Sequence, residues 1–456
     1  MAILENTKIR RSIPQPIWFL FFSAIFLLGI YMRIESGTGT TVIIPLRADA
    51  GMYYDYAFNL RYRHTYSSQA GDMKMDGAPV TPDAIRPPGY PLFLTFFVNT
   101  NATERILKRI VDCQIIISSL SILLSFFFFQ TFLPKWGAMI ATLLVSLSPH
   151  LIVSNSYILT ETLFCFFLLL LAFTVKGFVS RPGLGSAGII GITIGAANLI
   201  RNSLQFFPFF MAVFIIYYYG MKKGWRFCVA MFVGFLIITL PWIARNLITL
   251  NAPTDKTLTI NFLHHGMYPD FTFNNIPESF GFPYRFDPRS EEIRKNIPSV
   301  LKEIQRRFTD EPLSHMKWFF LKKPFVFWGW NQIQGIGDAF GYPVSESPYF
   351  SSPFFQKTHR LMHSLHWKLV VLCFLGCMMV WLPLSQFDLS SEAIINVRFV
   401  STLLLYFIGL HIVGAPFPRY SIPLRPFLYG MAVFVIYLMG MSIRKYLFRK
   451  KAALLV

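Results

Sequence analysis

Along the chain, apolar runs of spanning length alternate with short polar joints and two long polar stretches. A helix needs about 20 mainly apolar residues to cross a bilayer. Ten runs approach that length, near 16–33, 106–129, 137–153, 160–179, 186–200, 204–220, 227–244, 367–384, 398–414 and 426–442. The pattern predicts an all-α polytopic membrane protein with about ten transmembrane helices. The chain then divides into 1–33 (N-terminal tail and first span), 34–105 (first outer loop) and 106–245 (spans two to seven). A larger second outer loop, 246–366, and the last three spans with a basic tail, 367–456, complete it.

The basic residues test this alternation. Lys8, Arg10 and Arg11 precede the first span, and Lys176 and Arg181 lie between the fourth and fifth. Lys222, Lys223 and Arg226 lie between the sixth and seventh, and RKYLFRKK follows the tenth. Ten spans put all four groups on one side, which the positive-inside rule makes cytoplasmic. QFDLSSEAIINVR adds Asp388 and Glu392 to that side, and acids weigh little in the rule.

Both long polar stretches then face outside. In the first, DAGMYYDYAFNLRYR has Tyr53, Ala57 and Leu60 at helical spacing and predicts an amphipathic interfacial helix. PPGYPLFLTFFV is too short to span and predicts a second interfacial or re-entrant piece. In the second stretch, DPRSEEIRKNIPSVLKEIQRRF predicts a soluble helix, acidic early and basic late, split at Pro298.

Composition agrees: 54% of residues are hydrophobic and 14% charged, and the mean hydropathy is +0.47. The net charge of +19 does not point to nucleic acid, because the basic residues mostly flank apolar runs. They read as topology signals and contacts to anionic headgroups of the bilayer. KIRRSIPQP followed by IWFLFFSAIFLLGIYM predicts an uncleaved signal anchor. The five cysteines fall inside apolar runs, where they serve as small hydrophobes.

The topology gathers ionisable groups at the outer ends. Asp49 follows the first span, Arg86 precedes PPGYP, Glu161 opens the fourth span and Arg201 closes the fifth. Arg245 closes the seventh, and Arg419 and Tyr420 join the ninth to the tenth. Tyr54 and Asp55 share the predicted helix with Asp49 and are candidate substrate contacts. Charge at membrane depth is expensive and marks function. Guanidinium groups bind phosphate bidentately, and a carboxylate can serve as general base. The set suits a sugar carried on a polyprenyl phosphate, with Asp49 as base. A transporter or flippase of a lipid-linked or anionic substrate is the alternative. Bland roles stand beside these: Asp49 as a helix cap, Arg245 as a snorkelling anchor, Glu161 as a helix-dipole partner. His359, His363 and His366 share one helix face, which reads as solvated or interfacial rather than metal-binding.

The succession DAGMYYDYAFNL, RPPGYPLFL, SLSPHLIVSNSYILTETLF, NLIRNS, PWIARN and RYSIPLRP resembles the GT-C glycosyltransferases from about residue 10 to 445. The resemblance is to the bacterial branch related to protein O-mannosyltransferases and the lipid A aminoarabinose transferase. It implies a polyprenyl-phosphate-linked sugar donor, inverting transfer to a glycan, lipid or protein acceptor, and a site on the outer face of the cell membrane. Asp49 matches the catalytic carboxylate of the first loop; Arg201, Arg245 and Arg419 match positions near the donor phosphate. One departure bears on cofactors. Many relatives carry Asp-Glu where this chain has Asp49 and Ala50, so fewer ligands remain for a divalent metal ion. Asp55 lies nearly two turns further on.

Overall fold

The computed structural model describes residues 14–70, 79–100, 104–333 and 336–453. Lys8, Arg10 and Arg11 lie outside them. Among the described residues, seven helices are long and apolar enough to span a bilayer, and the bent pair Lys135–Leu147 and Pro149–Ser156 makes an eighth. That pair turns by 52° at Ser148–Pro149, where proline disfavours helical backbone in the residue before it. Leu184–Ile200 is apolar but shorter. The Phe207–Leu250 helix breaks at Gly220, whose φ of 69° and ψ of 164° only glycine adopts easily. Each of the ten apolar runs is therefore helical, in a multi-pass membrane protein.

Side-chain contacts show that alternate helix ends come together. Lys135 Nζ reaches Gln15 at 2.8 Å, Ser180 Oγ reaches Glu392 at 3.0 Å, and Arg398 reaches Tyr218 at 3.2 Å. These are the ends assigned to the cytoplasm. Asp49, Arg86, Glu161, Arg201 and Arg419 meet at the opposite end.

The Leu184–Ile200 helix packs closely on the second arm of the Gly220 hairpin. A Cβ on Gly191 would lie 1.8 Å from Met231 O, and one on Gly234 would lie 2.1 Å from Gly188 O. Small residues let backbones approach where lipid supplies no hydrophobic drive between helices.

The outer segments differ from the sequence reading in several ways. The Asp49–Tyr62 helix is buried on most sides, through Ala50, Tyr53, Tyr54, Tyr56, Ala57 and Phe58. Its buried face packs on the rest of the first outer segment: Tyr53 meets Tyr90 of Gly89–Thr95 at 5.1 Å, and Tyr56 stacks on Tyr66 at 4.2 Å. Pro298 does split the charged segment, into Ser290–Ile293 and Ile297–Asp310, and Asn296 caps the second helix by accepting from Ser299 N at 2.9 Å. The eighth spanning helix starts at Pro353, well before the apolar run. Of its three histidines His366 is buried, His359 half-buried and His363 exposed, and all three edge onto one tryptophan. The Trp330 ring lies 5.4, 5.0 and 5.3 Å from His359, His363 and His366, and 4.5 Å from His150. Strands Thr41–Val42 and Val344–Glu346 pair antiparallel and tie the two outer segments together.

Candidate functional site

Five charged side chains from five separate segments form one cluster. Asp49 opens its helix after a turn in which Ala48 takes φ 48°. Arg86 stands just before PPGYP. Gly89 holds that segment against the fifth helix: its Cβ would meet Leu199 O at 2.7 Å and Ile200 N at 2.8 Å. The segment is thereby seated beside Arg201, which caps Leu184–Ile200. Tyr90 donates to Gln114 at 2.8 Å, and Gln114 donates to the carbonyls of Asn155 and Tyr157, both at 2.9 Å. This locks PPGYP to the broken helix that precedes Glu161. Arg419 comes from the short 3-10 helix Pro418–Leu424.

The contacts run in a chain. Arg86 Nη2 lies 2.5 Å from Asp49 Oδ1, and Arg419 Nη2 lies 2.6 Å from Asp49 Oδ2. Arg419 Nε lies 2.9 Å from Glu161 Oε1, which also takes Arg201 Nη1 at 3.2 Å. Arg201 sits 4.4 Å over the Tyr420 ring, and Arg86 sits 5.6 Å over Tyr53. Glu161 is 1% exposed, whereas Asp49 keeps 23% of its side chain open. Three guanidinium groups meet two carboxylates, so the cluster carries one positive charge in excess.

Burial by itself would raise the Asp49 pKa. Arg419 and Arg86 outweigh it and hold the carboxyl at about 2. Asp55 has the opposite environment. It is half-buried, has no ion-pair partner among the described residues, and burial lifts it to about 6.

The other candidates form no ion pair with the cluster. Arg245 donates to Asp83 O at 2.8 Å and Tyr66 O at 3.0 Å, and its guanidinium faces the Trp242 ring at 5.3 Å. It fastens the first outer segment to the seventh helix. Tyr54 is buried, and among the described residues its hydroxyl forms no hydrogen bond with Asp49. Tyr420 supports Arg201 and packs on His411 at 5.5 Å. His264 bonds Tyr268 at 3.1 Å within the second outer segment, and His265 stacks on Tyr284 at 4.4 Å.

Further neighbours of the site were not legible beforehand. Tyr342 takes Arg47 over its ring at 5.4 Å and accepts from Tyr157 Oη at its carbonyl at 3.2 Å. His150, Tyr157 and Gly341 line a cleft with Glu161 and Arg419. No periodic pattern marks residues 339–342, so only the folded backbone delivers them there.

Among solved structures, the chain is similar to the Archaeoglobus fulgidus oligosaccharyltransferase in its apo form. Identity is 12%, the TM-score 0.51, and the match covers 96% of this chain and 52% of that one. The chain shares the fold of that structure. Other GT-C structures match less fully. ArnT from Cupriavidus metallidurans bound to undecaprenyl phosphate aligns at 14% identity and TM-score 0.44, over 88% of this chain and 77% of that one. The S. cerevisiae protein O-mannosyltransferase complex bound to the sugar donor aligns at 13% and 0.39, over 59% and 38%. The chain spans about half the length of the oligosaccharyltransferase structures it matches. No family model and no curated protein matches it.

The donor set of this cluster is poorly suited to a divalent ion. Such an ion wants several free oxygen ligands. Asp49 and Glu161 are each held by two arginines, and among the described residues no group of three metal-type side chains forms.

Proposed function

We propose that this chain is a membrane glycosyltransferase. It moves a sugar from a polyprenyl-phosphate donor to an acceptor hydroxyl, with inversion, on the extracytoplasmic side of the cell membrane. One observation carries the reading: Asp49 lies between Arg86 and Arg419, in a cluster that has one cation in excess. The resemblance of the motifs and the GT-C fold support it.

The chemistry follows from charge. A donor phosphodiester brings one negative charge, which matches the excess cation. Arg86, Arg201 and Arg419 turn towards its oxygens and loosen their hold on Asp49. Burial then acts on Asp49 unopposed, and its pKa rises towards that of a working base. Asp49 accepts the proton of the acceptor hydroxyl. The acceptor oxygen bonds to the anomeric carbon as the carbon–phosphate oxygen bond breaks. The leaving phosphate keeps that electron pair and gains a negative charge, which the three guanidinium groups meet. Glu161 keeps Arg201 and Arg419 aimed.

The test is transfer in proteoliposomes from a polyprenyl-phosphate sugar, followed by mass spectrometry of the products. Asp49→Asn and Asp49→Ala are expected to lower transfer by about 10²–10⁴-fold with expression intact. Activity retained in both variants would remove Asp49 from the mechanism. Flipping of the lipid without chemical change would put a transporter in its place.

A further inference from the structure

The second outer segment contains a helical stretch whose outward face is apolar. Pro312–Met316 is α-helical, Lys317–Lys322 is a π turn, and Lys323–Phe327 is α-helical again. Leu313, Met316, Phe320, Leu321 and Phe325 are each more than half exposed. His315, Trp318, Phe319, Lys323 and Phe327 are buried on the other side. A regular helix would carry Phe325 well round from Met316. The wider i→i+5 turn holds Phe320 and Leu321 back, so that all five align on one face.

Two contacts place this face at the membrane border. Lys323 Nζ donates to Ile412 O at 2.8 Å, at the C-terminal end of the spanning helix Ser391–Val413. The stretch therefore sits at the level where that helix leaves the bilayer. Phe325 packs 6.2 Å from Trp367 and 6.4 Å from Phe374 on the spanning helix Pro353–Met379. Trp367, Val371 and Leu375 of that helix are themselves about half exposed, as a lipid-facing surface would be. The apolar face is continuous with it.

We infer that residues 312–327 form an interfacial helix whose apolar face is buried in the lipid leaflet on the Asp49 side. Exposed Lys317 is placed to meet headgroup phosphate. The inner face reaches the site. Phe327 stacks on His411 at 4.3 Å, His411 packs 5.5 Å from Tyr420, and Tyr420 carries Arg201 at 4.4 Å. Lipid contact thus holds one end of a row of rings that ends on the charged cluster.

The test places an environment-sensitive fluorophore on single cysteines in the full chain in lipid nanodiscs. Leu313→Cys, Phe320→Cys and, as a control, Glu291→Cys would be made in a Cys113→Ser background, since the other four cysteines are buried. Lipids carrying a quencher high on the acyl chain are expected to quench positions 313 and 320 by about twofold and to leave 291 nearly unchanged. Equal, weak quenching at all three positions would overturn the inference. So would protection of 313 and 320 from thiol reagents without lipid quenching, because another protein or a second copy would then cover the face. Leu313, the most exposed of the five, keeps the test valid where Phe320→Cys fails to fold.

Discussion

A carboxylate gripped by two guanidinium groups is a stable anion and a weak proton acceptor. Asp49, held at about 2, is in that condition until a competing anion draws the arginines away. In the proposed mechanism, base strength is then tied to donor binding, which protects a reactive group from idle protonation. Arg419 serves both carboxylates, through Nη2 and Nε, and a lysine cannot span that fork. Arg419→Lys is expected to cut transfer by about 10²-fold, mostly in kcat, in the proteoliposome assay.

Asp55 gives a prediction of opposite sign. Its folded pKa of about 6 lies above its ordinary value of 3.8, so the fold disfavours its ionised form. That penalty is complete above pH 6 and fades as the pH falls towards 4. Asp55→Asn should therefore raise the melting temperature in detergent by a few degrees at pH 7.5, and the gain should shrink through that window. An unchanged difference from pH 7.5 to 4.5 would show that Asp55 is well solvated. The identities of Asp49, Arg86, Glu161, Arg201 and Arg419 were legible in the sequence because charge at a helix end is costly and stands out. Their pairing was not, since the five belong to segments up to 370 residues apart.

At the scale of elements, several buried or half-buried bases turn out to be helix caps. Arg33 donates to Val145 O and Ser146 O at 3.3 Å, where Lys135–Leu147 ends inside the bundle. Arg398 donates to Val380 O at 2.6 Å, just past the end of Pro353–Met379, and Lys323 does the same for Ser391–Val413. The last carbonyls of a helix have no partner within it, and a cation also suits the negative end of its dipole. Part of the chain's excess of basic residues thus closes helix ends, alongside the topology signal visible in the sequence. The helix pair at Gly191 and Gly234 gives the element-scale prediction. Gly191→Val puts atoms where Met231 O now lies 1.8 Å from a Cβ position, and neither backbone can yield. The variant should be made but lose its thermal transition in detergent, while Gly177→Val, with nothing within 4 Å, should melt near wild type.

For the whole molecule, the charged cluster is also a structural clasp joining three segments of the bundle, at Glu161, Arg201 and Arg419, with the first outer segment. Breaking one partner of a buried pair leaves a charge uncompensated, which costs more than removing both. Glu161→Gln should lower stability by about 3 kcal/mol in chemical denaturation, because two arginines lose their anion. Glu161→Gln combined with Arg201→Gln should cost less than the sum of the two single changes. Additive losses would show that the cluster serves the reaction and not the fold.

The sequence alone determined the helical spans and their alternation, because a bilayer tolerates only apolar, internally bonded segments, and these are read locally. It also determined which charges would gather at one end of the bundle. Tertiary structure alone decided that Arg245 braces a loop while Arg201 and Arg419 join Asp49. It decided that the histidine face packs on Trp330, and that residues 312–327 form one apolar face across a π turn. Lysines interrupt the hydropathy of that stretch and the wide turn breaks its 3.6-residue period, so no local pattern announces it. Contacts between segments far apart in the chain depend on how helices cross, and crossing is a property of the packed bundle.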